Sequence, residues 1–348
     1  GKNLITNTGK TYFIAEIGSN FDGNIDRAKE LIKLAKESGA DAAKFQHYTA
    51  STLVNQSGFN DLNIKSHQSS WSGSVHEIYK KASLNVDWTK SLYEECQKYS
   101  IDFMTSPYSI DLLNQVIKYI PAIKIGSGDI TYHEIIEKMS HFSKPILLAT
   151  GASNFNEVEM AMNLIYGKVP VCLMQCNTNY ESDPNHDVFQ NIQVISSYRK
   201  RWPNAILGIS CHMKEDIAVM AAITLGARIV EKHFTDDDKR KGPDHKFALN
   251  PTEFKKMVLK TRKLERILGD GIKKVEENER NTKFLQRRSL VINKKLKSGS
   301  IIKHSDIDAL RPFVSGSYEP YKINLIIGSK LKIDVDKGHI IKESDLKI

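Results

Sequence analysis

Eight short apolar runs, at residues 12–17, 41–45, 102–105, 122–125, 146–149, 169–174, 205–209 and 228–231, are mostly separated by amphipathic stretches with helical spacing. This alternation limits the chain more than any other feature. A strand buried on both faces reads as an apolar run, and a parallel neighbour can be reached only through a crossover, usually a helix. "IDRAKELIKLAKESG" carries the helical pattern and stops at Gly39, and "NEVEMAMNLIYG" and "KEDIAVMAAITLG" also end at glycine. Eight β-then-α units predict an α/β fold, a (β/α)8 TIM barrel. A doubly wound open sheet is the alternative. No G-x-G-x-x-G follows the first run, so a dinucleotide-binding version of it has no support.

The pattern breaks twice. Residues 47–85 are polar and rich in Ser and Asn, an insertion that a barrel would place on its functional face as a lid. From Gly269 the helical period gives way to charge, and beyond it come turns and β-type alternation. The expected organisation is a barrel over residues 1–268, a linker over 269–284 and a small β-rich domain over 285–348. Within that domain "GSIIKHSD" and "GHIIKESD" match, which suggests a duplicated turn and pseudo-symmetry.

At 348 residues the chain has room for one large domain and a small one. No apolar stretch approaches the roughly 20 residues of a membrane span. The first residues carry no signal-peptide pattern, and Cys96, Cys172, Cys176 and Cys211 make a poor disulfide framework. A reduced, cytoplasmic protein is expected, with no membrane partner. The net charge of +9 comes from lysines spread along helix-like stretches and not gathered with aromatics, which argues against a nucleic-acid face.

In a barrel, polar residues at the C-terminal strand ends share one mouth. Here they are Glu16; Lys44 and Gln46; Ser106; Lys124, Ser127 and Asp129; Thr150; Asn177, Thr178 and Tyr180; Ser210 and His212; and His233. Singly, such a lysine is a snorkelling surface group and such a histidine a structural one. Together, lysines and hydroxyls suit a phosphate or carboxylate, and two imidazoles suit a divalent metal. Glu16, inside the apolar "FIAEIG", needs a partner to be buried at all. After the last run, "KHFTDDDKRKGPDH" closes on a Gly-Pro turn and Asp244, as the rim of a site would.

The motifs "FIAEIGSNFDG", "AAKFQ", "FMTSPYS", "IKIGSGDI", "LLATGA", "EKHFTDD", "GPDH" and "LRP", in this order, resemble the N-acetylneuraminate (sialic acid) synthase family. That family condenses phosphoenolpyruvate with an amino-sugar aldehyde, and its C-terminal domain is of the SAF, antifreeze-like kind. The resemblance implies that Lys44, Ser106, Lys124, Ser127 and Ser210, with Asn177 or Thr178, bind phosphoenolpyruvate. It implies that His212 and His233 bind a divalent ion, manganese, with magnesium or cobalt as alternatives. Glu16 would handle the proton of the attacking water, and Gln46, Asp129, Tyr180 and Asp244 would touch the sugar. Arg311 would reach that sugar from the neighbouring subunit of a domain-exchanged homodimer.

Four positions depart from the family pattern: Phe21, Asp129, Ala149 and Cys211. They leave the reaction type standing and put the sugar in doubt. Cys211 would be a small packing residue or a soft ligand favouring zinc. The alternatives are an octulosonate-type synthase, whose phosphorylated sugar needs a second basic pocket, and a non-catalytic binding protein on the same scaffold.

Overall fold

The computed structural model describes residues 4–61, 74–179 and 186–347. The chain divides into two compact units, Gly1–Gly269 and Asp270–Ile348. In the first, the strands are β1 (Tyr12–Glu16), β2 (Ala42–His47), β3 (Asp102–Pro107), β4 (Ile123–Ile125), β5 (Ile146–Ala149), β6 (Val171–Cys176), β7 (Ile206–Cys211) and β8 (Ala227–His233). They form one parallel sheet in the order β3-β2-β1-β8-β7-β6-β5-β4. β3 and β4, at the two ends of that order, are neighbours in space, so the sheet curls into the expected (β/α)8 barrel. A helix follows every strand. The first, Ile25–Glu37, is capped by Asn24 and buries Ala28, Leu31, Ile32 and Ala35. The last, Pro251–Leu268, starts from an Asn250–Glu253 capping box.

Five strands run past their apolar stretches to His47, Pro107, Cys176, Cys211 and His233. A ladder uses backbone groups alone, so polar residues such as Gln46 and Ser106 still pair across it. This extension carries polar side chains into the mouth. Strand side chains alternate in direction, so one set of rows faces the axis. At the bottom those rows hold Ile14, Ala42, Met104, Ala122, Leu147, Cys172 and Ile229, a buried apolar cluster. Two residues up the rows stand Glu16, Lys44, Ser106, Lys124 and Glu231, with Ala149 and Met174 keeping the remaining two rows apolar. Gly208 leaves the axis open, since a Cβ there would lie 2.9 Å from Ile229 O and 3.0 Å from Cys172 Sγ.

The described part of the insertion forms helices Ala50–Leu53, Gln56–Asp61 and Val75–Ala82. In the second unit, β9 (Ser289–Ile292) pairs antiparallel with β10 (Ile307–Leu310), and β11 (Lys330–Leu331) with β12 (Leu346–Lys347). The duplicated segments do the same work twice. Gly299 and Gly338 take positive φ, and Ile302 and Ile341 are fully buried. Asp306 and Asp345 accept from the Lys303 and Lys342 amides at 3.1 and 2.9 Å. No described helix is long and apolar enough to cross a membrane.

Candidate active site

The mouth of the barrel holds a cavity of about 430 Å3 lined by Glu16, Lys44, Gln46, Ser106, Lys124, Ser127, Asp129, Thr178, Ser210, His212, His233 and Asp244. Its floor is a row of alternating charge. Glu16 Oε2 lies 2.5 Å from Lys44 Nζ, and Glu231 Oε1 lies 3.5 Å from Lys44 and 3.2 Å from Lys124. Gln46 Nε2 donates to Glu16 Oε1 at 2.7 Å, and the Ser210 hydroxyl to Glu231 Oε1 at 3.4 Å. Lys44 Nζ also donates to Ser106 Oγ at 3.2 Å. Burial pushes the Glu16 carboxyl up to about 7, against the pull of Lys44 and with help from Glu231. Burial would raise Glu231 too, but Lys124 and Lys44 outweigh it and hold that carboxyl below its ordinary range.

The His212 and His233 rings stand 5.4 Å apart, both against Phe247. Burial pushes His212 down to about 4 and His233 well below the usual imidazole value, so both are neutral at pH 7. His212 Nδ1 lies 2.7 Å from the Asn177 carbonyl. A carbonyl can only accept, so Nδ1 carries the proton and Nε2 keeps the lone pair. That is the orientation a metal-binding histidine takes from a neighbouring carbonyl. No group of three or more His, Cys, Asp or Glu suited to a metal occurs among the described residues. Two imidazoles fit an ion that leaves its other positions to water and substrate.

The charged tract after β8 is folded onto the first loop. Arg27 bridges Asp22 at 2.8 Å and Asp236 at 2.7 Å. His245, fully buried, joins Thr235 Oγ1 at 2.7 Å to Asp22 Oδ1 at 3.1 Å. A Cβ on Gly242 would lie 2.6 Å from His245 Cδ2, so the Gly-Pro turn needs its glycine. Asp244 then enters the cavity and accepts from Ser19 N at 3.1 Å. Gly18 sits beneath it at φ +53°, where a Cβ would lie 2.7 Å from Asp244 Oδ2. Gly18→Ala is therefore expected to cost about 1–3 kcal/mol, read as a lower urea midpoint with unchanged slope. An unchanged midpoint would contradict this packing.

One candidate from the sequence, Asn177, does not line the cavity. The Asn177 side chain is used by its own loop, with Nδ2 donating to Phe189 O at 3.0 Å and Oδ1 accepting from Asn179 N at 3.0 Å. Its backbone carbonyl, and not its amide, serves the site by orienting His212. Tyr180 lies outside the described residues. Arg311 belongs to the second unit, exposed, with Nε donating to Gln286 O at 2.8 Å. Cys211 faces away from the cavity with its Sγ 3.7 Å from Lys232 Nζ. It packs and is no ligand, because its strand parity is opposite to that of Ser210 and His212.

The residue missed in the sequence is Glu231. Its signal was the one that marked Glu16, a carboxylate in an apolar strand, and it stands two residues before His233, on the same face. The insertion reaches the functional face, and the residues it contributes there, which the sequence reading did not single out, are Leu53, Val54, Phe59, Ile78, Tyr79 and Ala82, with Tyr48 and Tyr108 beside them.

Residues 31–273 match the model of the NeuB family, and residues 287–347 that of the SAF domain. The chain belongs to the NeuB family. It is similar to the N,N'-diacetyllegionaminic acid synthase of Campylobacter jejuni, 33% identical over 87% of this chain and 91% of that one. The N-acetylneuraminate-9-phosphate synthase of Homo sapiens is 29% identical over 95% and 91%. Among solved structures, the N-acetylneuraminic acid synthetase of Leptospira borgpetersenii in complex with citrate superposes with a TM-score of 0.72. It is 25% identical and covers 81% of this chain and 93% of its own. The family and fold implied by the motifs are thus met. With them comes the class, an enzyme of the carbon–carbon bond-forming transferase kind.

Proposed function

We propose that this NeuB-family chain joins phosphoenolpyruvate to the open-chain aldehyde of an N-acylated hexose, giving a sialic-acid-like 3-deoxy-2-ulosonic acid and phosphate. The observation that carries the reading is the buried row Glu16–Lys44–Glu231–Lys124 beside two neutral imidazoles. Lys44 and Lys124, with the hydroxyls of Ser106, Ser127 and Ser210, supply the donors that a phosphate and a carboxylate accept from. Ser127 Oγ already accepts from Gly151 N at 2.9 Å, which leaves its O–H to give. Thr178 lines the cavity near this end.

His212 and His233 would hold a divalent ion, manganese in this reading, with magnesium or cobalt fitting the same donors. When bound, that ion supplies a Lewis acid for the aldehyde oxygen, where negative charge grows as C3 of phosphoenolpyruvate attacks. Glu16 takes the proton of the water that adds to C2 and returns it to the alkoxide left at the former aldehyde carbon, which becomes the product hydroxyl. The C2–O bond to phosphate then breaks, and the remaining hydroxyl proton leaves with the phosphate as the ketone forms. A carboxyl titrating near 7 can accept and return a proton near neutral pH.

Asp129, Asp244 and Gln46 would hold the sugar's hydroxyls. Burial pushes Asp129 up to about 6, so it is ionised at pH 7 and accepts from hydroxyls. The wall around Phe59, Ile78 and Tyr79 offers apolar contact for acyl methyls. Among the described residues the cavity is lined by no cation besides Lys44 and Lys124, both already ion-paired. This favours an unphosphorylated acceptor over the octulosonate type. The expected kcat/KM for an N-acylated hexose exceeds that for the plain hexose by about 10-fold or more, with the 6-phosphate ester poorer still. Preference for the phosphate ester would overturn this part of the reading.

The reading includes a homodimer in which the partner subunit's Arg311 meets the sugar. It also includes a cytoplasmic setting, supported by four buried free thiols.

A further inference from the structure

Lys232 has no part in this chemistry, yet it is only 1% exposed. It lies on β8 between Glu231 and His233, which face the cavity, so its side chain runs outward beneath the helices. The acceptors around its Nζ come from one short segment: Cys211 Sγ at 3.7 Å, Met213 O, and Glu215 O at 3.3 Å. Burying an amine is costly unless its hydrogens are taken up, so those carbonyls and Lys232 hold one another in place. The segment they define surrounds His212.

The two imidazoles differ in how their backbones are held. His233 ends a ladder, in register with Glu16, and its carbonyl accepts from Leu249 N at 2.8 Å. His212 lies one residue beyond β7. Its ring is directed by the Asn177 carbonyl, and the backbone on its C-terminal side is where Lys232 reaches. We propose that Lys232 is a positioning residue for His212: it gathers the Met213 and Glu215 carbonyls, fixes the turn after β7 and so sets where His212 Nε2 points. This rests on the metal-binding half of the proposed function and not on its catalytic half.

The test uses the full chain freed of metal. Lys232→Met keeps the bulk and removes the donors, and Lys232→Gln keeps a shorter donor. Leu92→Ala, in the buried face of helix Thr89–Lys98, is the control for general loosening. Two readouts are taken: Mn2+ titration, and the imidazole nitrogen resonances of His212 with 15N-histidine. Lys232→Met is expected to raise the Mn2+ dissociation constant by about tenfold or more. It should also turn the single Nδ1–H form of His212 into a tautomer mixture, and Leu92→Ala should do neither. If Lys232→Met does not fold, Lys232→Gln carries the test with the same signs. Wild-type affinity together with unchanged His212 resonances overturns the proposal. Should the wild type bind no Mn2+, the metal reading fails and the His212 resonances alone decide the role of Lys232.

Discussion

Glu16→Gln leaves the fold intact and lowers kcat by about 10²–10⁴, with little change in phosphoenolpyruvate binding. The amide matches the carboxylate in shape: its carbonyl oxygen can still accept from Lys44, and its NH2 can donate to Gln46 once that side-chain amide turns its own oxygen over, but it cannot take a proton from water. The pH profile gives the sharper reading. Burial holds the Glu16 carboxyl near 7, and a base works only when ionised. The wild-type rate should therefore rise with pH through an ascending limb near 7, and the residual rate of Glu16→Gln should lack that limb. A limb that survives the substitution would assign the titration to another group and remove Glu16 as the base.

His233→Ala removes one of two imidazoles, and the remaining one cannot hold an ion in place. Phosphate release should fall to background, with no recovery at added Mn2+. Arg311→Ala should be nearly as inactive if that guanidinium meets the sugar. Co-expressing the two variants separates the arrangements of Arg311. In a domain-exchanged dimer, one site of each mixed dimer keeps both natural residues, so random pairing should restore roughly a quarter of wild-type activity. If Arg311 serves its own chain, or no site at all, the mixture stays inactive or follows the single variants.

The barrel was legible because a parallel strand buried on both faces must be apolar, and eight such runs alternate with helices. The polar mouth was legible for a related reason. Most inward rows are apolar at the bottom and carry a polar residue two positions later that stands out, as Glu16 does after Ile14 and Lys44 after Ala42. Glu231 escaped because the reading counted it inside the apolar run 228–231 and took His233 alone as the strand's polar end, whereas both lie on β8 and face the axis. Asn177 illustrates a different limit. Its type and place suit a ligand-binding amide, but loop hydrogen bonds to Phe189 and Asn179 decide where the amide points. Pairings such as Asp244 with Ser19, or His245 with Asp22, join residues more than 200 positions apart. No local pattern announces such a pairing.

The most direct test of the central claim is to follow phosphate release from phosphoenolpyruvate carrying 18O in its bridging oxygen, with Mn2+, with and without an N-acylated hexose. The account predicts release only when the sugar is present, loss of release on chelation, and phosphate that retains the bridging 18O, because C2–O is the bond that breaks. Release without sugar, or phosphate that has lost the label, would contradict the proposed reaction. Binding of phosphoenolpyruvate with no release for any sugar would instead favour a barrel that binds without catalysing.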